Sequence, residues 1–377
     1  MRINKLASKL GSQRQLDSPG IYTASEARAI AANWIQTHLP NESLLFGLPE
    51  VDDRHSAWRI SILSSDSQNS VGELMVSCKN GSVTLASDPL LIQRRLHKLN
   101  GHIVLKKDFR KESSEPYQLS GLDILLGDSR EILQRLPNGS AGLVITSPPY
   151  FNAKLAYSEY TDYEEYLDLL KDVFIECHRV LSEGRFLIVN ASPVLVRRSQ
   201  RNQASRRIPV PFHINTILER NGFDFLDDIV WVKPSGAGWN TGRGRRFAAD
   251  RNPLQYKPVP ITEYFLVYRK HTNKLIDWNI RSHPDQEIVK RSKIPDGYEI
   301  TNVWKEHPAN HPIHPAVFPE EIIRKFIRYY SFENDIVLDP FAGIGTVGHA
   351  ALLERRKFCL IDSNLTYYNL MRRKLLG

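Results

Sequence analysis

A glycine-rich turn close to the end of the chain decides how the rest can be arranged. Ile336-Val337-Leu338-Asp339 is an apolar run suited to a buried parallel strand, and it leads into Gly343-Ile344-Gly345-Thr346-Val347-Gly348 and a helical pattern. Glycines at this place let the backbone approach a ligand closely and turn a helix N-terminus toward negative charge. Asp362 ends the next apolar run, Phe358-Cys359-Leu360-Ile361, twenty-three residues after Asp339. An acidic side chain there can accept hydrogen bonds from both hydroxyls of a ribose. Only twenty-nine residues follow Gly348, enough for one helix, one strand and a last helix. The other strands of the sheet are therefore expected earlier in the chain. An NAD-type oxidoreductase, the first reading of such a glycine pattern, usually begins its nucleotide domain with the turn, so this order argues against it.

The expected earlier strands are present. From Gly121 onward, apolar runs alternate with amphipathic segments, the pattern of an α/β sheet. The runs predict strands at Leu122–Leu126, Gly142–Thr146, Arg185–Asn190, Asp228–Val232, Ile261–Tyr268, Asp335–Leu338 and Phe358–Ile361. Helices are predicted near 129–135, 162–181, 211–221, 319–331 and 345–354. Residues 234–313 break the rhythm, being rich in Gly, Pro, Asn, Arg and Trp, and such stretches commonly carry binding specificity. Residues 1–115 read as a separate small α+β domain. Its Thr23-Ala24-Ser25-Glu26 capping box opens a helix over 24–38, strand-like runs follow at Trp58–Leu63 and Val71–Ser77, and an Asn80-Gly81 turn precedes Val83–Ala86. Leu91–Leu99 reads as a further helix and Lys106–Glu115 as a charged linker to a second domain over 116–377.

The second informative motif is Thr146-Ser147-Pro148-Pro149-Tyr150, directly after the strand Gly142–Thr146. An exocyclic amino group on a nucleobase is a poor nucleophile, because its lone pair is delocalised into the ring. Accepting hydrogen bonds from both amino hydrogens draws the nitrogen toward tetrahedral geometry and frees that lone pair. The Ser147 hydroxyl and the Pro148 carbonyl are suitable acceptors. The consecutive prolines, Pro148 and Pro149, hold the turn rigid and remove competing amide donors. Tyr150, with Phe151, is placed to stack on a base extruded from a duplex. Alone, such a string is as readily a strand-ending turn, and its context gives it weight.

Read together, Thr146-Ser147-Pro148-Pro149-Tyr150 and Asp339-Pro340-Phe341-Ala342-Gly343-Ile344-Gly345-Thr346 resemble the signature motifs of the permuted β class of S-adenosylmethionine-dependent DNA amino-methyltransferases. The resemblance covers about residues 121–377. It implies a circularly permuted Rossmann-like methyltransferase sheet, with the catalytic motif first and the cofactor motif second. It implies that Asp339, Phe341, Gly343, Gly345 and Thr346 surround the methionine part of S-adenosylmethionine and that Asp362 binds the ribose. Gly127-Asp128 matches the segment whose acidic residue faces the adenine; from the residues alone, Asp128 is equally a helix N-cap, and the roles are compatible. His314-Pro315-Ala316 resembles the segment preceding the cofactor motif, although Phe318-Pro319 replaces the usual Lys-Pro ending. Ser at the first motif position is common in cytosine-N4 members, whereas Asp or Asn is more frequent in adenine-N6 members. The resemblance therefore implies cytosine-N4 methylation, with adenine-N6 as the alternative and a catalytically silent DNA-binding module as a more remote one. Cytosine-C5 chemistry would require a cysteine nucleophile, and none of Cys78, Cys177 and Cys359 follows a proline.

A net charge of +8 suits a polyanionic partner. Arg197 and Arg198 begin one basic run, and Lys233, Arg243, Arg245 and Arg246 lie in another; the runs flank one predicted strand. These residues are expected to contact double-stranded DNA around a flipped base, with residues 234–313 as the target-recognition region. Lys290, Arg291 and Lys293 are further candidates. No metal site is expected, because Pro308, Pro312 and Pro315 interrupt the helix on which His307, His311 and His314 would share a face. The widely spaced cysteines and the lack of a long apolar stretch are expected for a cytoplasmic protein. The family resemblance also implies a restriction-modification or defence setting, with a cognate restriction endonuclease as a possible partner.

Overall fold

A computed structural model of the protein describes residues 23–52, 56–66, 69–87, 116–151, 163–196, 206–234, 260–309 and 318–377, with a few isolated positions besides. Its described residues fall into two compact units, one ending before residue 105 and one following it.

In the first unit, helix α1 (Ala24–His38) starts at the expected capping box: Thr23 Oγ1 accepts from Glu26 N at 3.2 Å while the Glu26 carboxylate accepts from Thr23 N at 3.2 Å. Five short strands follow, β1 (Leu44–Phe46), β2 (Glu50–Asp52), β3 (Ala57–Ser64), β4 (Ser70–Ser77) and β5 (Val83–Ala86). They form an antiparallel sheet of order β1-β3-β4-β5, with β2 also paired to β3. Ala27, Ala31 and Ile35 of α1 pack with Ile60, Ile62, Leu74 and Val76 of the sheet, so the small residues at helical spacing set how closely the helix approaches. Strands β1 and β2 were not expected from sequence. The proposed linker lies outside the described residues.

The second unit is the α/β layer structure anticipated from the alternating pattern. Its early elements are β6 (Leu122–Leu126), α2 (Ser129–Arg135), β7 (Ala141–Thr146), α3 (Tyr163–Val180) and β8 (Leu181–Ala191). A small antiparallel pair, β9 (Val194–Val196) and β10 (Arg206–Ile208), precedes α4 (Val210–Arg220), β11 (Phe223–Val232) and β12 (Thr262–Lys270). Two short helices, α5 (Trp278–Arg281) and α6 (Gln286–Arg291), lead to β13 (Val303–Lys305). The chain closes with α7 (Glu320–Tyr330), β14 (Ile336–Asp339), α8 (Thr346–Leu353), β15 (Lys357–Asp362) and α9 (Leu365–Leu375).

Eight strands form one sheet in the order β13-β11-β12-β8-β7-β14-β15-β6. Neighbours from β8 to β6 are parallel, and β12 is antiparallel to both β8 and β11. The two C-terminal strands, β14 and β15, thus enter between β6 and β7 from the start of the unit. That placement is the permuted order foreseen from the late glycine turn. Side chains alternate across each strand, so two cores form. Val144, Leu187, Val189 and Leu338 pack with Leu133, Val173, Phe174 and Leu218 from helices α2 to α4. On the opposite face, Leu143, Ile145, Ile188, Val337 and Leu360 pack with Ile323, Phe326, Val347 and Met371 from α7 to α9.

The irregular stretch 234–313 is not one uninterrupted insertion. Strand β12 crosses the middle of the sheet within it, paired on both sides, and β13 lines up with β11 through Val230↔Val303 and Trp231↔Trp304. Among the described residues, no helix is long and apolar enough to cross a membrane.

Candidate active site at the ends of the parallel strands

Parallel strands place their carboxyl ends on one edge of the sheet, and ligands of open α/β sheets bind beyond that edge. Here β14, β15 and β6 end side by side at Asp339, Asp362 and Leu126, the last followed by Gly127 and Asp128. Backbone bonds join the turns: Ala342 N donates to Ile361 O at 3.0 Å and Gly127 N to Asp362 O at 3.1 Å. The Ser129 hydroxyl also donates to the Pro340 carbonyl.

Within this edge, Asp362 supports the glycine turn directly. Its Oδ2 accepts from Gly343 N at 2.7 Å and its Oδ1 from Asn364 N at 2.8 Å. The residue expected to hold a ribose thus also fixes the loop that would receive the rest of the ligand. Gly345 has φ +78°, and a Cβ there would lie 2.8 Å from Met371 Cγ. Its glycine is required by the left-handed backbone and by the close approach of α9. Gly348 instead gives α8 room against β15, since a Cβ there would meet Leu360 Cδ1 at 2.6 Å. Asp128 is the N-cap of α2, accepting from Arg130 N at 2.8 Å and pairing with the Arg130 guanidinium at 2.6 Å.

The Thr146–Tyr150 string leaves the end of β7, the strand beside β14. Thr146 Oγ1 donates to Asp339 Oδ1 at 2.7 Å, joining motifs that stand 193 residues apart in the chain. Asp339 is 1% exposed, and its Oδ1 accepts a second bond from Phe341 N at 3.0 Å. Burial pushes its carboxyl up to about 7; the two hydrogen bonds oppose that shift, and the neighbouring Asp362 adds to it. A buried carboxyl group poised in this way, next to a glycine turn and with Asp362 nearby, fits a ligand with cationic and hydroxyl groups such as S-adenosylmethionine.

Sequence reading missed the polar set beside Ser147. Asn190, near the end of β8, has its Oδ1 3.3 Å from Ser147 Oγ and 3.2 Å from the Tyr150 hydroxyl. The Tyr150 hydroxyl also donates to Glu263 Oε2 at 3.1 Å, and Lys233 Nζ pairs with Glu263 Oε1 at 2.6 Å. Glu263 lies on the antiparallel strand β12 and is 3% exposed. By strand alternation, Asn190 continues the face of Ile188, Glu263 that of Phe265 and Lys233 that of Trp231, all in the same core. The detectable signal was a polar residue at the mouth of each apolar run, in Phe186-Leu187-Ile188-Val189-Asn190 and Glu263-Tyr264-Phe265-Leu266-Val267.

Other sequence expectations are redirected. Lys233 was read as a DNA contact, but its ammonium is committed to Glu263 and lies 4.4 Å from the Trp231 ring centroid. Phe151 was offered as a stacking partner for a base; it is buried against Tyr163 and Tyr166 at ring distances of 5.0 and 5.6 Å. Lys290 pairs with Glu287 and Arg291 with Glu333. Arg197, Arg198, Arg243, Arg245, Arg246, His311 and His314 lie outside the described residues. Among the described residues, no group of three His, Cys, Asp or Glu side chains is arranged to hold a metal. Burial raises the thiol pKa values of Cys177 and Cys359, as expected for small core residues.

Known proteins resemble this chain over the same region. The Type II methyltransferase M.Cfr9I of Citrobacter freundii is 27% identical over 293 residues, covering 70% of this chain and 91% of its own length. The DNA adenine methyltransferase YhdJ of Escherichia coli K12 is 28% identical over 268 residues, covering 67% of this chain and 82% of its own. The crystal structure of TTHA0409, a DNA modification methylase homologue from Thermus thermophilus complexed with S-adenosyl-L-methionine, is 29% identical with a TM-score of 0.54 and covers 67% of this chain and 93% of that one. The N6_N4_Mtase family, described as DNA methylase, matches residues 141–373, which span the serine turn, the Asn190–Glu263 set and the glycine turn. This chain belongs to that family of DNA amino-methyltransferases, and the oxidoreductase reading is set aside.

Proposed function

We propose that the protein methylates the N4 amino group of a cytosine within a short specific sequence of double-stranded DNA, as the modifying partner of a restriction system. The observation carrying this reading is the Thr146–Asp339 hydrogen bond, which sets the serine turn beside the glycine turn although they are far apart in sequence. The motif's first position, Ser147, favours cytosine-N4 over adenine-N6. The restriction-modification setting is supported by the Type II methyltransferase relatives.

S-Adenosylmethionine is the cofactor, and it supplies a methyl group already activated on a sulfonium sulfur. The protein has no covalent step to perform, so its work is positioning and electrostatics. Asp339, Phe341, Gly343, Gly345 and Thr346 line the methionine end of the cofactor site, Asp362 takes the ribose, and Asp128 lies toward the base while capping α2. The Ser147 hydroxyl and the Pro148 carbonyl accept the two amino hydrogens of the flipped cytosine. Pro148 and Pro149 hold those acceptors in place, and the Tyr150 ring supports the base, its hydroxyl anchored by Glu263. Arg197, Arg198, Arg243, Arg245 and Arg246 supply DNA contacts, and residues 234–313 outside β12 supply target recognition.

Ser147→Ala tests the catalytic assignment. Turnover should fall about 100-fold or more while DNA and cofactor binding stay close to wild type, the pattern for losing an interaction made in the transition state. Near-normal turnover would remove Ser147 from the mechanism. A second reading, adenine-N6 methylation, is favoured by the adenine specificity of the YhdJ relative; it keeps the same machinery and changes the base.

A further inference from the structure

A hydroxyl that accepts a hydrogen bond from substrate must direct its own proton elsewhere. Around Ser147, the structure offers such a destination. Asn190 Oδ1 lies 3.3 Å from Ser147 Oγ, and an amide oxygen can only accept. The orientation of this amide follows from its other end: Asn190 Nδ2 donates to the Tyr264 carbonyl at 3.2 Å. A carbonyl has no proton to give, so the nitrogen must face Tyr264 and the oxygen must face Ser147. The side chain is 3% exposed, which leaves the amide little freedom to turn.

The neighbouring tyrosine competes for the same oxygen, since its hydroxyl is 3.2 Å from Asn190 Oδ1. Glu263 resolves that competition. Its carboxylate lies 3.1 Å from the Tyr150 hydroxyl, and an ionised acceptor attracts a proton more strongly than an amide oxygen does. Lys233, 2.6 Å from the other carboxylate oxygen, favours the ionised state. The Tyr150 proton is thus drawn to Glu263, and Asn190 is left to the serine.

We propose that Asn190 is a positioning residue for methyl transfer: it takes the Ser147 hydroxyl proton and so turns the serine lone pairs toward the target amino group. The inference rests on the reading of Ser147 as an acceptor for that group. It also bears on base choice. An Asp at position 147 would set its carboxylate against the fixed Asn190 oxygen, two acceptors with no proton between them, so this site is matched to a hydroxyl.

A double-mutant cycle tests the proposal, using the full-length protein, unmethylated phage DNA and tritiated S-adenosylmethionine under single-turnover conditions. Asn190→Leu, close to Asn in size, should slow methyl transfer by about 10- to 100-fold, the range for losing an outer hydrogen bond that orients a directly acting group, with the Kd for DNA and cofactor nearly unchanged. In a Ser147→Ala background, where no hydroxyl remains to orient, the same substitution should change the residual rate by less than about twofold. Equal slowing in both backgrounds, or a rate near wild type for Asn190→Leu alone, would overturn the proposal. Asn190→Ala carries the same expectations and serves if the leucine variant does not fold, as judged by cofactor affinity. Failure of the underlying reading is separable, because it would appear as normal turnover in Ser147→Ala itself.

Discussion

At Asp339, burial and function pull in opposite directions. The carboxyl is enclosed at the end of β14, and burial raises it to about 7. A carboxyl raised above its unfolded value favours the fold when protonated. Its contribution to stability is therefore fully present below the unfolded value near 3.8 and is lost as pH rises toward 7. A cationic ligand beside it works the other way, since it favours the ionised form. Cofactor affinity measured by calorimetry should thus rise from pH 6 to pH 8, by at most about tenfold per unit below 7, with proton release on binding. Asp339→Asn, which keeps an acceptor for Thr146 and Phe341, should bind more weakly and without that slope. A slope unchanged in the variant would assign it to another group. The Asp339 and Ser147 positions were legible in sequence because each sits in a motif with a chemical rationale. Asn190 and Glu263 were not, because a polar residue at the end of an apolar run is ordinary strand punctuation until the strand order brings three such ends together.

Among the elements, the glycine helix α8 shows most clearly how sequence sets geometry. Gly348 leaves room for β15, and its Cβ would stand 2.6 Å from Leu360 Cδ1. Gly348→Ala should destabilise the protein by about 1–3 kcal/mol, the range for overpacking, seen as a lower midpoint in thermal unfolding with cofactor binding largely kept. Gly345→Ala meets both the positive φ and Met371; it should weaken cofactor binding as well, because its residue shapes the turn. Equal effects on binding from the two variants would contradict this division of roles. Helices α2, α3, α4, α7 and α8 of the second unit were foreseen to within about one residue, since each has a clear apolar period, whereas α9 was expected only as a last helix without bounds and α5 and α6 were not expected. Strand ends were less legible. β8 begins at Leu181 rather than Arg185, through Ser182-Glu183-Gly184, which reads as a turn. β11 begins at Phe223, and its Asp224 to Asp227 segment is exposed, so no alternation marks it as strand. β1, β2 and β13 are three residues each and exist through pairing with longer neighbours, which no local pattern reveals.

For the whole molecule, the order of the chain and the order of the sheet differ, since β14 and β15 follow the other strands of the sheet in sequence but lie between β7 and β6, and that difference was legible in the order of the two motifs, serine turn first and glycine turn second. The basic charge is also a property of the whole. DNA affinity should fall steeply with salt, and replacing Arg243, Arg245 and Arg246 with Ala should reduce the slope of log affinity against log salt by about 1 per lost phosphate contact while cofactor affinity is unchanged. An unaltered slope would remove those arginines from the interface. What the assembled site does to a base is tested most directly by mass spectrometry of nucleosides from unmethylated DNA incubated with the purified protein and S-adenosylmethionine. N4-methylcytosine, lost in Ser147→Ala, is the expected product. N6-methyladenine would contradict the cytosine assignment while leaving the geometry of transfer in place, and no methylated nucleoside across varied DNA would contradict catalysis by the serine turn itself.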